Sequence, residues 1–271
     1  MTITDDPFAK FKAMQREAWS GFARLEGNTT PAAAELVRFA GVGHGQTVLD
    51  VACGTGVVAV TAARKGARVS GLDLTPPLLE RARENASIAE VAIDFKEGDA
   101  EALPYPDASF DVVLSQFGHM FAPRPAVVTA EMLRVLKPGG RIAFSTWPPE
   151  HYMGRMFAFI ARQAPPPPAG APVPAPVGQW GDPNVVRERL GNAVTGLAFD
   201  RGMMFGASLS PRHSLLFFET TFGPLMKLVA DFQSQPEKLE KLRAELTAII
   251  AESVVDNQLR QHFLISRAIK A

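Results

Sequence analysis

Apolar residues near the start of the chain recur at helical spacing. Phe11, Met14, Ala18, Phe22 and Leu25 share one face, which predicts a helix over residues 7–26. Thr30 followed by Pro31 reads as an N-cap with proline in the first helical position, so a second short helix should run to about residue 40. From Gln46 the rhythm changes. Short apolar runs at 47–51, 67–72, 93–96, 110–115 and 141–146 read as strands. Helical patterns at 57–65, 76–86 and 125–136 lie between them. Strands alternating with helices over about a hundred residues predict a doubly wound α/β fold, with a parallel sheet covered by helices on both faces. The continuous apolar run Val112-Val113-Leu114 suits a strand buried on both sides.

Beyond residue 147 the pattern is looser. Seven prolines between 165 and 176 predict an extended or irregular stretch, a linker or a flap. A short helix is expected at 183–190 and a strand at 196–204. A helix is expected at 236–255, striped by Leu239, Leu242, Leu246 and Ile249, and a last strand at 263–269 on the sheet edge. The whole chain reads as one domain in four parts. These are an N-terminal helical lid (1–41), a ligand-binding core (46–147), a substrate cap (148–235) carrying the Pro-rich loop 164–177, and a C-terminal helix with an edge strand (236–271).

Composition narrows the function. Lys plus Arg total 28 and Asp plus Glu total 28 in 271 residues, a net charge of zero, so no general affinity for nucleic acid is expected. The single cysteine, Cys53, excludes an internal disulfide and a Cys-rich zinc site, and no histidine spacing suggests a metal. No segment reads as a membrane span, and the start MTITDDPFAK lacks the basic and apolar blocks of a secretion signal, so a cytoplasmic location is expected. These features leave room for a homodimer.

The candidate chemistry lies in Val48-Leu49-Asp50-Val51-Ala52-Cys53-Gly54-Thr55-Gly56, a strand, a glycine turn and a helix start. Gly54 and Gly56 permit a sharp turn against a ligand, and the helix N-terminus offers free N–H groups. Asp73 ends the next strand, where a carboxylate can accept both hydroxyls of an adenosyl ribose. Either a dinucleotide or S-adenosylmethionine suits this layout, since Gly54-x-Gly56-x-x-Ala59 also satisfies the dinucleotide template. Asp50 favours the second, because a carboxylate beside the turn attracts an amino-acid ammonium and repels a pyrophosphate. Asp50 and Asp73 can also be read as turn or strand-end carboxylates, and Asp111 as structural.

Four segments in order resemble the class I S-adenosylmethionine-dependent methyltransferases, of the small-molecule type similar to the ubiquinone and menaquinone C-methyltransferases. They are residues 48–56, residues 71–74, the stretch Gly98-Asp99-Ala100-Glu101-Ala102-Leu103-Pro104-Tyr105 with 109–113, and residues 131–140. The resemblance covers somewhat under half the chain and implies a Rossmann-like, mostly parallel seven-stranded sheet. It implies S-adenosyl-L-methionine as cofactor and S-adenosylhomocysteine as product. Asp50 and the backbone of Ala52, Cys53, Gly54 and Gly56 would hold the methionine end, and Asp73 the ribose, with Leu74 against the adenine. The Asp99–Glu101 loop would recognise the adenine through Asp99 and Ala100. Ser115 would lie near the transferable methyl, and Trp19 with Phe22 would close over the cofactor or simply pack. Family members often have glycine where this chain has Ala52, which is tolerated if its φ is negative.

His119 is the foremost candidate base for an acceptor that must lose a proton, or else a pocket-lining residue; His151 and Tyr152 are weaker ones. Segment 115–118 reads Ser-Gln-Phe-Gly and lacks the Asn/Asp-Pro-Pro-aromatic tetrad of many base and amide methyltransferases. Aromatic and methionine side chains cluster between Phe117 and Phe159. Together these predict a small apolar or aromatic acceptor methylated at O, C or N. An NAD(P)-binding oxidoreductase and a non-catalytic binding domain are the competing readings.

Overall fold

The computed structural model describes residues 6–163, 170 and 172–271. The elements run α1 (Ala9–Trp19), α2 (Glu26–Phe39), β1 (Thr47–Val51), α3 (Val57–Ala63), β2 (Arg68–Asp73), α4 (Pro76–Ile88), β3 (Ile93–Glu97) and β4 (Phe110–Gln116). They continue with α5 (Pro125–Val135), β5 (Leu136–Thr146), α6 (Tyr152–Gln163), α7 (Pro183–Leu190) and β6 (Val194–Ala207). The chain closes with α8 (Pro211–Thr221), α9 (Gly223–Asp231), α10 (Pro236–Ala251), β7 (Val254–Val255) and β8 (Gln258–Lys270).

The strand order is β3-β2-β1-β4-β5-β8-β6, with the two-residue β7 paired to β8. Pairs from β3 to β5 are parallel; β8 runs antiparallel to both β5 and β6. Val48, Leu49 and Val51 of β1 and Val112, Val113 and Leu114 of β4 are fully buried, as strands covered on both faces must be. Asp111 pins the start of β4 to β1, accepting from the Thr47 N–H at 2.7 Å and from Lys137 Nζ at 2.7 Å. The chain order reverses between β1 and β4, and crevices form beyond the carboxyl ends of strands at such a point.

Three expectations change. The N-terminal helix is interrupted after Trp19 by a 3-10 turn at Phe22–Leu25, and α2 starts at Glu26. Thr30 therefore caps nothing; its hydroxyl donates back to the Glu26 carbonyl at 2.7 Å, and Pro31 lies inside the helix. The last strand is not an edge, since β8 is inserted between β5 and β6 and the 14-residue β6 takes the edge. The sequence pattern shows that a strand exists but not its non-local partner.

The cap is also more helical than its loose pattern suggests. Helices α6, α8 and α9 form there, and α10 packs against α6 and α8, so the cap extends past residue 235. Of the expected Pro-rich loop, residues 164–169 and 171 lie outside the described residues. Among the described residues no helix is long and apolar enough to cross a membrane.

Candidate active site

A cleft opens above the carboxyl ends of β1, β2 and β4, with about 1430 Å³ of space between atoms, its open mouth included. Asp50, Ala52, Cys53, Gly54, Asp73, Leu74, Asp99 and Ala100 line one end. Trp19 lines it as well, and the cap aromatics form the other end.

The carboxylates at the first end are built in. Asp73 is buried and accepts from the Gly54 N–H at 2.8 Å and from the Thr75 N–H at 2.8 Å, so it holds the glycine turn against β2. Asp50 is buried, and its Oδ2 accepts from the Ala59 N–H at 3.0 Å, one of the free donors in the first turn of α3. Its Oδ1 has no protein partner. Burial drives the Asp50 pKa well above the usual carboxylate value, the Asp73 charge adds to this, and the Ala59 N–H opposes it. A buried carboxylate with a free oxygen beside a cleft has the chemistry to take an ammonium. That fits the amino-acid end of S-adenosylmethionine and not a pyrophosphate.

The turn is strained. Ala52 has φ +54, in the left-handed region, where a side chain costs about 1–2 kcal/mol. The condition under which an alanine is tolerated here, a negative φ, is therefore not met: this chain keeps the left-handed geometry of a glycine with an alanine.

Helix α1 has no fully buried residue; its face of Lys12, Gln15, Arg16 and Trp19 looks onto the cleft. Lys12 Nζ meets Asp6 at 2.6 Å, Asp99 at 2.6 Å and Glu101 at 2.7 Å, one carboxylate for each of its three protons. Burial opposes the Lys12 charge, but the three carboxylates outweigh it and raise the pKa. Arg16 pairs with Glu97. Trp19 stacks obliquely on Phe121 with centroids 4.7 Å apart and meets Phe222 edge-on at 5.7 Å. Lys12→Met is expected to loosen α1 alone: amide exchange in residues 9–19 should accelerate at least tenfold, with β1 and β4 unchanged. Unchanged exchange in α1 would show that the aromatic contacts alone hold it.

Several expected site residues lie elsewhere. Glu101 does not line the cleft. Its side chain is fully buried under Lys12 and Arg124, accepting the Arg124 N–H at 2.6 Å and its guanidinium at 2.7 Å. Ser115 is buried below the cleft, donating to the Val51 carbonyl at 2.7 Å and accepting from the His119 N–H at 3.1 Å. Gly56 packs α3 against its neighbours; an added Cβ would lie 3.0 Å from Ala82 Cβ. Tyr152 is buried with its hydroxyl on Met156 Sδ at 3.3 Å, and His151 stacks on His262 outside the cleft.

The base assignment is corrected most plainly. His119 is completely buried between Phe144 and Trp180, with ring centroids at 4.7 and 4.6 Å, and lines no part of the cleft. Neither ring nitrogen has a protein partner. Burial, with the Arg189 charge adding to it, lowers its pKa to about 3. The folded chain refuses a proton that the unfolded chain takes below the ordinary value of 6.5. This group therefore costs stability as pH falls from 6.5 towards 3, at up to about 1.4 kcal/mol per pH unit. His119→Phe should flatten that acid slope in denaturant melts and leave turnover intact. A large loss of turnover in a folded His119→Phe protein would return the histidine to the chemistry.

Other positions emerge only from the structure. Glu131 accepts from the Leu103 N–H at 2.8 Å, and Arg134 donates to the Leu103 and Tyr105 carbonyls at 2.9 and 2.8 Å. The two clamp the loop that follows Asp99. Of the flagged aromatic and methionine cluster, Phe117, Phe121, Trp147, Met153 and Phe157 line the cleft, whereas Met120, Met156 and Phe159 are core. Phe117, at φ +59, lays its ring on Trp147 with centroids 3.9 Å apart and planes 9° apart.

The family described as "Methyltransferase domain" matches residues 49–144, the segment carrying the turn, Asp73, Asp99 and β4. An uncharacterised Mycobacterium tuberculosis protein is 36% identical over 239 residues, covering 87% of this chain and 85% of its own. A demethylmenaquinone methyltransferase of Deinococcus radiodurans is 45% identical over 104 residues, 38% of this chain and 43% of its own. The chain belongs to the class I S-adenosylmethionine-dependent methyltransferases. A putative methyltransferase of Bacillus halodurans shares the fold of this methyltransferase at a TM-score of 0.58 and 22% identity, over 88% of this chain and 98% of the other. The dinucleotide oxidoreductase reading gives way to this membership and to the unpaired Asp50 oxygen.

Proposed function

We propose that this methyltransferase transfers a methyl group to O, C or N of a small, uncharged, apolar or aromatic metabolite. One observation carries the reading. Every titratable side chain lining the cleft among the described residues (Lys12, Arg16, Asp50, Cys53, Asp73 and Asp99) precedes Ala100 in the chain. From Gln116 onward the lining consists of aromatic, aliphatic and methionine side chains with two amides, Gln116 and Gln261. Such a wall favours an acceptor without charge, because a charge there would lose its hydration and meet no partner.

The cofactor supplies a methyl already activated on a sulfonium. In this reading Asp50 takes its ammonium through Oδ1, and Asp73 takes the ribose hydroxyls through its remaining lone pairs. Leu74, Asp99 and Ala100 lie at the adenine end. Trp19, Phe121 and Phe222 close the roof and exclude water, and the Phe117–Trp147 stack gives a planar acceptor a flat wall. Alignment and desolvation then carry most of the rate acceleration.

The test is incubation with S-adenosylmethionine and a broad set of neutral and charged aromatic and aliphatic acceptors, scored by S-adenosylhomocysteine release and by the mass of the product. Methylation concentrated among neutral apolar members is the expected outcome. Preference for charged acceptors would contradict it, and cofactor binding without any transfer would favour the non-catalytic reading.

A further inference from the structure

Gln116 is the last residue of β4, and its side chain lines the cleft. Its Nε2 donates to the Thr29 carbonyl at 2.9 Å, which fixes which end of the amide is which. The other end, Oε1, is buried without a protein partner. In the sheet Asp50 pairs with Leu114, so Gln116 stands two residues, about 6–7 Å, further towards the cleft mouth. It therefore lies beyond the carboxylate that would hold the amino-acid end of the cofactor, and beside the stacked Phe117 and Trp147.

A buried carbonyl oxygen held in one orientation requires a donor. The neutral wall from Gln116 onward holds no group that could act as a base. A phenol or a carbon acid needs such a base before it becomes a good nucleophile. An uncharged amine does not: its lone pair attacks while its N–H remains to be donated.

We infer that Gln116 selects the acceptor, its side-chain carbonyl receiving an N–H of an uncharged aromatic or apolar amine whose nitrogen is the atom methylated. This rests on the methyltransferase reading of the same cleft. In the step, the amine lone pair forms the N–CH3 bond as the S–CH3 bond breaks. The sulfonium electron pair returns to sulfur as S-adenosylhomocysteine, and the methylated ammonium gives its proton to water after leaving. The oxygen of Gln116 aims the lone pair and takes no proton.

The experiment uses the full chain saturated with S-adenosylhomocysteine, whose binding is measured first by calorimetry. Absence of that binding would defeat the cofactor reading itself, separately from the role of Gln116. With it established, 1-naphthylamine and N,N-dimethyl-1-naphthylamine are titrated into wild type and Gln116→Leu. Wild type should bind the N–H compound at least about tenfold more tightly, a ratio expected when a buried carbonyl is left unpaired. Gln116→Leu should bring the two within about twofold while holding S-adenosylhomocysteine as before. Equal binding in wild type, or a tenfold preference surviving in Gln116→Leu, would overturn the assignment. So would a loss of S-adenosylhomocysteine affinity in the variant, which would place the amide on the cofactor. In parallel, matched amine, hydroxyl and carbon-acid acceptors are offered with S-adenosylmethionine. Transfer confined to nitrogen is expected, and transfer to oxygen or carbon would overturn the inference.

Discussion

Asp73→Ala should lower S-adenosylhomocysteine affinity by at least about 100-fold. The carboxylate already receives two backbone N–H groups, each at 2.8 Å, and keeps a further lone pair on each oxygen. Two ribose hydroxyls on a buried carboxylate contribute about 1.5–3 kcal/mol each, which together account for that loss. The variant also leaves the Gly54 and Thr75 N–H groups without their acceptor, so some stability is lost as well. The parallel strands do not depend on this side chain, and circular dichroism should keep the wild-type spectrum. Undiminished affinity in a protein with that spectrum would remove Asp73 from the site.

Gly118→Ala is expected to be the most damaging small substitution in the cleft. A Cβ at this position would stand 2.5 Å from Ala52 Cβ and 2.6 Å from the Ala52 carbonyl oxygen. The Ala52 backbone cannot yield easily, since it already sits at φ +54 between β1 and the glycine turn. Phe117, next to Gly118, is likewise held at φ +59 with its ring on Trp147. Overpacking against fixed backbone costs about 1–3 kcal/mol or more. For a chain of this size that corresponds to a fall in Tm of about 2–12 °C. Cofactor and acceptor affinity should fall together, because the residue lies where the two ends of the cleft meet. A Tm within 1 °C of wild type and unaltered S-adenosylhomocysteine binding would show that the turn has room the geometry denies.

The halves of the molecule differ in how much their residues disclose. From residue 46 to 147 each element is specified locally. Thr47–Val51 has the expected bounds, Asp73 ends its strand, and Gly54 and Gly56 take left-handed φ values that glycine permits, whereas the left-handed Ala52 is not signalled by its residue type. The position of Asp50 and Asp73 was legible for the same reason, since both sit at or next to strand ends and line one cleft. Pro183–Leu190 was equally clear, with Asp182 accepting the Asn184 N–H at its start.

What escaped was whatever depends on distant partners. The chemistry of His119 suits a base, but its surroundings, Phe144 and Trp180, come from β5 and the cap. Glu101 looks like part of the adenine loop until Lys12, 89 positions earlier in the chain, arrives to neutralise it. The edge position of β6 and the helices α8 and α9 depend on packing of the cap, where apolar residues such as Leu216 and Phe217 stay partly exposed and blur the periodicity. Gln116 carried no local signal; only the bond to Thr29 and the unpaired oxygen single it out.

The most direct test of the central claim is calorimetric titration of the purified chain with S-adenosylhomocysteine, with NADH as the parallel control. The account predicts one-to-one binding of S-adenosylhomocysteine in the micromolar range or tighter and no heat from NADH, because the Asp50 oxygen that welcomes an ammonium repels a pyrophosphate. Binding of NADH at similar strength, or of neither ligand, would contradict it.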